Sequence, residues 1–256
     1  MTIHHTSAAE KTPRPFLHRL YYLANGIQAN EILNAGAEAD SHTARIDFEL
    51  KQAINFLKHD AIQGDTVDYS GLKNSEAYAS YRNTTRRLRN FDLNSLATEA
   101  QKMAFWINLY NVLIVDAVIH YGIRQSVHEV RGFFARTAYE VGGYRFSADD
   151  IEHGILRANA GHIAIPGPQF SPNDPRRQFM MQEINPRLHF TLVCASQSCP
   201  PIGVYDAERL DEQLDMATHN FINGGEVQID MANRNVYLSQ IFQWYAPDFG
   251  GNVLNQ

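Results

Sequence analysis

Cysteine is scarce in this chain: there are two in 256 residues, at positions 194 and 199. Two cysteines cannot frame a disulfide-built fold. Their four intervening residues match neither a common metal-ligand spacing nor the two-residue spacing of thioredoxin-type motifs. Positive charge is also in short supply, with 22 Lys and Arg against 28 Asp and Glu and a net charge of -6. That balance argues against a nucleic-acid surface. The one basic run, Arg86-Arg87-Leu88-Arg89, reads as the solvated face of a helix. No apolar run approaches the roughly 20 residues of a membrane span without polar interruption. Residues 1–14 lack a basic region followed by an apolar stretch of signal length, so the expectation is a soluble, cytoplasmic protein. There is no internal repeat and no glycine-rich phosphate loop.

What is present is enough hydrophobic content, 44%, to bury a sizeable core in one large domain, or in one domain with a helical extension. Residues 1–14 are polar, end in Pro-Arg-Pro, and read as a disordered tail. Residues 15–64 read as a helical N-terminal extension, with helices near 15–35 and 44–60; Ile46, Leu50, Ala53, Ile54 and Leu57 recur at helical spacing. The main domain is expected over 65–256. A short extended segment at 67–72 leads to a helix near 74–90. Thr98 and Gln101 have the spacing of a capping box, and the pattern then runs without Gly or Pro to Gly122. Within it, Ala104-Phe105-Trp106-Ile107-Asn108-Leu109-Tyr110-Asn111 is apolar on almost every side, which predicts a helix surrounded by protein.

Asn108 and Asn111 share a face of that helix. Buried amides need partners, so tying loops to the core is the simplest role for both; orienting a histidine or binding an oxyanion is the functional alternative. Asp116 and His120, four apart, read as a pair on another face of the helix, a simple surface pair explaining them equally well. Ala138-Tyr139-Glu140-Val141, Gly142-Gly143 and Tyr144-Arg145-Phe146 predict a hairpin. Ser147 with Asp149 and Asp150 marks a helix start for the segment carrying Glu152 and His153. Those two are adjacent, so at most one is expected to face a site. Residues 159–187, rich in Pro, Asn, Gly and Arg, read as a surface excursion, a lid or rim. An amphipathic helix over 206–221, a strand pair around 233–235 and an aromatic C-terminal helix at 241–245 complete the pattern.

The chemistry concentrates in His189-Phe190-Thr191-Leu192-Val193-Cys194-Ala195-Ser196-Gln197-Ser198-Cys199-Pro200-Pro201. Residues 189–194 read as a buried strand with His189, Thr191 and Val193 on one face and Cys194 on the other, in the core. Cys199 then falls in a loop between strand and helix, where backbone amides favour a thiolate.

Val67-Asp68-Tyr69, the Trp106-Ile107-Asn108-Leu109-Tyr110-Asn111 helix, Asp150-Ile151-Glu152-His153 with Leu156-Arg157, the run from Pro186 through Cys199-Pro200-Pro201, and Leu238-Ser239-Gln240-Ile241-Phe242-Gln243-Trp244-Tyr245 with Asp248-Phe249 together resemble the family called domain of unknown function 547. The likeness covers about residues 65–250. It implies that the tryptophan–asparagine helix, the Ile-Glu-His segment, His189 and both cysteines recur in that family. Many bacterial members look exported, a pattern that this chain's N-terminus does not share.

From these residues the expected fold is α+β, a central buried helix against a small, mostly antiparallel sheet, with papain-type enzymes as an analogy for the layout. The expected activity is cysteine-centred: a thiol-dependent hydrolase or acyl transferase with Cys199 as nucleophile, His189 as base and Glu152 or Asn108 holding that base. His153 stands in if His189 lies too far away. Asn111, His153, Ser198 and Trp106 are the candidate binding residues. A redox pair of Cys199 and Cys194, and a non-catalytic binding or scaffold module, are the alternatives. A metal site of His189, Cys199 and Glu152 is disfavoured by spacing. Neither metal nor cofactor is expected. The expected partners are a small-molecule or peptide substrate and, for a scaffold, a protein bound through 15–64 or 159–187.

Overall fold

The computed structural model describes residues 13–36, 46, 48–52, 55, 62–63, 66–67, 73–193 and 203–251. Cys194, Ser198 and Cys199 therefore lie outside the described residues. The element order is α1 (Phe16–Ala24), β1 (Ile62–Gln63), β2 (Thr66–Val67), α2 (Glu76–Arg87), α3 (Glu99–Tyr121), α4 (Phe133–Arg136), β3 (Ala138–Val141), β4 (Tyr144–Ser147), α5 (Leu210–Asn223), β5 (Val227–Asp230), β6 (Asn235–Leu238) and α6 (Ile241–Trp244), with 3-10 and π turns between them. Among the described residues the strands pair as three antiparallel two-stranded hairpins. The layout is the expected α+β arrangement, built around α3.

Helix α3 begins and ends as its sequence dictates. Thr98 accepts from the Gln101 amide at 3.1 Å, and the Gln101 side chain accepts from the Thr98 amide at 3.0 Å. Gly122 closes the helix in the left-handed region at φ 65°. Residues 103–119 are all buried. Among the described residues α3 alone is long and apolar enough to cross a membrane, but 94% of that stretch is covered by protein. It is the core helix of this domain.

The β3–β4 hairpin pairs Ala138 with Ser147 and Val141 with Tyr144, and it packs on α3. The Phe146 ring lies 4.7 Å from Trp106, and the Tyr139 hydroxyl donates to Asp116 at 2.6 Å. Asp116 is thus no surface partner of His120. It is fully buried and also accepts from Tyr78 at 2.6 Å and from Arg82 at 2.9 Å. The Arg86–Arg89 cluster is not simply solvated either: Arg87 pairs with Glu49, Arg89 with Glu140 at 3.3 Å, and Arg86 bonds Asn83 at 2.8 Å.

Four elements depart from expectation. Residues 189–194 do not begin as a strand. Asn185 caps a 3-10 turn over Pro186–Phe190, with the Asn185 side chain accepting from the Arg187 amide at 3.1 Å. Proline at the first turn starts a helix as readily as it blocks one, so the alternation argued from a strand does not apply. The segment after Ser147 forms a π turn, Asp150–Leu156, with bonds from Arg157 to Glu152 and from Asn159 to Gly154. Its wider circuit is a feature found at functional sites.

The third departure is the excursion at 159–187, which is anchored rather than free. Phe170 is fully buried and packs so close to Gly154 that a Cβ there would lie 2.3 Å from the ring. Arg176, also fully buried, joins Asp174 at 2.7 Å and Asp150 at 2.9 Å. At the N-terminus the side chain of Arg14, assigned to the tail from sequence, is only 6% exposed and binds Asp150 at 3.0 Å. Helix α1 is shorter than expected and ends at Ala24.

Candidate functional site

The tight turn at 186–190 places His189 at 6% exposure, with its Nε2 2.8 Å from Asp248 Oδ2. Tyr245 stacks on the imidazole at 4.0 Å and Phe249 lies against it at 5.4 Å. Arg157 grips the same carboxylate with two bonds, Nε at 2.5 Å and Nη2 at 2.9 Å. Burial alone would raise the Asp248 pKa, but the bonds from His189 and Arg157 bring it down to about 2. The ionised Asp248 therefore fixes the proton of His189 on Nε2 and leaves Nδ1 as the basic nitrogen.

Beside this pair lies Glu152. It accepts the Tyr110 hydroxyl at 3.1 Å and the Tyr245 hydroxyl in a short bond. Tyr245 thus lies between the two, bonded to Glu152 by its hydroxyl and stacked on His189 by its ring. The group that holds His189 is Asp248, in place of the expected Glu152 or Asn108. Asn108 is fully engaged elsewhere: it donates to the Tyr205 carbonyl and accepts from the Tyr205 amide, both at 2.8 Å. Asn111 does the same for the other loop end, donating to Thr191 O at 2.9 Å and accepting from Val193 N at 3.0 Å. The two amides tie down both approaches of the segment that carries the cysteines. Trp106 is fully buried between Phe105 and Phe146, with no partner for its indole nitrogen among the described residues. It packs in the core around α3.

His153 is also buried, so both members of the Glu152-His153 pair face the interior, against the expectation that only one could. The π turn provides the room. Arg157 Nη1 lies 3.0 Å from His153 Nδ1 and 2.7 Å from Gly161 O. A guanidinium only donates, so Nδ1 accepts and Nε2 carries the hydrogen. Burial, followed by the neighbouring His162 and Arg157, holds the His153 pKa well below its ordinary value, and the ring is neutral.

Asp149, His153 and His162 place one potential ligand atom each within 4.8 Å of one another. The tautomers oppose a metal there. His162 Nδ1 accepts from the Ala164 amide at 3.0 Å, so its Nε2 carries a hydrogen, as in His153. Both rings have spent their lone pairs. Asp149 is itself unusual, because burial, then Glu152 and Asp150, push its pKa up to about 8. A carboxyl with that pKa in the fold and 3.8 when unfolded takes up a proton on folding. Its contribution to stability is full below the unfolded value and fades as pH rises toward 8. Asp149→Asn is therefore expected to raise stability more at pH 8 than at pH 5, by on the order of 3 kcal/mol. Urea titrations at the two pH values measure it, and an equal effect at both would refute the assignment.

Reasoning from sequence missed Asp248, Tyr245, Arg157, Tyr110 and Asp149 as site residues. Tyr245 and Asp248 fall in the aromatic C-terminal stretch that, by its pattern, reads only as a helix completing the fold. Their clue was chemical, since an acid directly after Pro247 and next to Phe249 is costly to bury without a cation.

These features define the class: an α+β protein whose core helix, π turn and C-terminal segment converge on a buried histidine–aspartate pair. The model of the family described as "Protein of unknown function, DUF547" matches residues 93–222, just over half of the chain, and the chain belongs to that family. No curated protein matches the chain, and no solved structure does.

Proposed function

We propose that the protein is a thiol-dependent hydrolase or acyl transferase with Cys199 as nucleophile, His189 as base and Asp248 as the group that orients the base. The observation that carries this reading is the buried His189–Asp248 bond at 2.8 Å, reinforced by Arg157. It leaves His189 Nδ1 to take the thiol proton. The thiolate attacks the carbonyl carbon of an amide, ester or thioester, and the tetrahedral adduct collapses to a thioester. His189 returns its proton to the leaving group. Water or another acceptor then releases the acyl group and restores the thiol.

Two points of geometry support the reading. The 3-10 turn removes the extension that a strand would have put between His189 and the cysteine loop. Asn108 and Asn111, one helical turn apart, hold residues on either side of that loop close together.

The test is alkylation of folded protein across pH, with Cys199 and Cys194 quantified separately by mass spectrometry. Rapid modification of Cys199 well below the free-thiol pKa of about 8.5, slowed by His189→Ala, is the expected result. Equal slow reaction of both thiols with no effect of His189→Ala would reject the enzyme. A disulfide joining Cys199 to Cys194 under mild oxidant would favour the redox reading.

One observation favours the binding module as a second reading. Helix α1 turns Phe16, Leu20 and Leu23 outward at 69%, 48% and 78% exposure, an apolar stripe of the kind a protein partner covers. Under that reading, Leu20→Asp with Leu23→Asp on the exposed stripe abolishes association and leaves thiol reactivity unchanged.

A further inference from the structure

The buried charges around the π turn balance only when Asp149 is left out. Arg14, Arg145, Arg157 and Arg176 stand against Asp150, Asp174, Asp248 and Glu152, all in one buried region. Asp149 adds one negative charge at 6% exposure. It caps nothing, and no described residue donates a hydrogen bond to it. Its nearest partner, His153 Nε2 at 4.0 Å, is beyond hydrogen-bond reach and belongs to a neutral ring. That N–H favours the ionised carboxylate without satisfying it.

Asp149 is nevertheless not sealed in. It lines a cavity of about 200 Å³ together with Tyr21, His128, Phe133, Phe134 and His162. Tyr21 is close enough for Asp149 to raise the pKa of its phenol, after the effect of burial. Arg131 also borders the cavity, but it is exposed at the rim and its Nη2 reaches the Ala24 carbonyl at 3.4 Å. A carboxylate in a cavity that aromatic side chains also line is the chemistry that recognises an ammonium group, by an ion pair and by contact with the rings.

We propose that this cavity binds a small primary amine, with its ammonium on Asp149 and its short alkyl body against Tyr21, Phe133 and Phe134. A metal ion is the less suitable cation, because the Nδ1 lone pairs of His153 and His162 are committed and their Nε2 atoms carry hydrogens. The amine supplies the positive charge that the cluster lacks once Asp149 is ionised. Binding displaces the proton that Asp149 otherwise holds, so affinity is greatest where the carboxyl is already ionised and the amine is still charged. The groups facing Asp149 are His153 and Glu152 from the π turn, Asp150 beside it, Arg14 and Tyr21 from the N-terminal segment, Arg145 from β4, His162 from the following loop, and His128 and Arg131 across the cavity.

The test is calorimetric titration of the full chain at pH 8.5 with n-butylammonium chloride, with 1-butanol and zinc chloride as comparison ligands. Saturable binding of butylammonium is expected, with none of butanol. Asp149→Asn should remain folded and weaken the amine at least tenfold, while Asp92→Asn, in a distant exposed turn, should leave it unchanged. Absence of saturable binding in the millimolar range, or equal binding by Asp149→Asn, overturns the proposal. So does stoichiometric zinc binding that excludes the amine and is lost in His162→Ala, which would assign the cluster to a metal.

Discussion

Asp248→Asn is expected to slow alkylation of Cys199 at pH 7 by at least tenfold and to move its pH midpoint upward, while leaving Cys194 unchanged. The reason lies in charge. Asp248 is held near pKa 2 by His189 and Arg157, so it is a full anion at neutral pH. An anion on Nε2 stabilises the imidazolium that forms when Nδ1 takes the thiol proton; a neutral amide does not. It can also present its NH2 to the ring and favour the wrong tautomer, an effect that costs roughly 10⁴ in turnover in a serine–histidine–aspartate triad. Arg157 would lose its carboxylate but keep the Gly161 carbonyl, to which Nη1 bonds at 2.7 Å. Circular dichroism of the variant separates a local effect from unfolding. Unchanged alkylation kinetics in a folded Asp248→Asn protein would remove Asp248 from the mechanism.

The largest loss of stability is expected for Asp150→Ala, on the order of 5 kcal/mol. Asp150 is fully buried and accepts five bonds: Arg14 Nη1 and Nη2 at 3.0 Å each, Arg176 Nη1 at 2.9 Å, Gln169 Nε2 at 2.9 Å and the Ser147 amide at 3.0 Å. Burial by itself would raise its pKa, yet Arg14 and Arg176 drive it well below the ordinary range. Alanine would leave two guanidinium ions facing each other in the interior without their shared anion, and would untie the N-terminal segment and the 159–187 excursion from the π turn. Urea denaturation followed by tryptophan fluorescence reads the change. A loss under about 1 kcal/mol would place these charges in contact with solvent. Acid should act in the same direction: the stability that Asp150 and Asp248 contribute is present above their unfolded pKa values and is lost as pH falls through their depressed folded ones.

How far sequence reaches is clearest at particular residues. Thr98, Gln101 and Gly122 determine the start and end of α3, because capping and the left-handed turn act within a few residues of the chain. Gly142-Gly143 determines the β3–β4 hairpin for the same reason. Asn108 and Asn111 were legible as loop ties, since an amide inside an apolar helix must find a partner. The strand expected at 189–194 failed because a short apolar run has no intrinsic preference strong enough to outweigh the Asn185 cap and Pro186.

What only the tertiary structure decided is the pairing of charge. His189 meets Asp248 across 59 residues, Asp150 meets Arg14 across 136, and Glu152 meets Tyr245 across 93. Local propensity and periodicity carry no information about such partners. They are selected by the cost of burying an ion alone, a cost that exists only once the chain has closed around it. By the same rule the sequence could name Asp149 as an early acid of a helix, whereas only the fold shows it to be the buried carboxylate that the surrounding arginines do not neutralise.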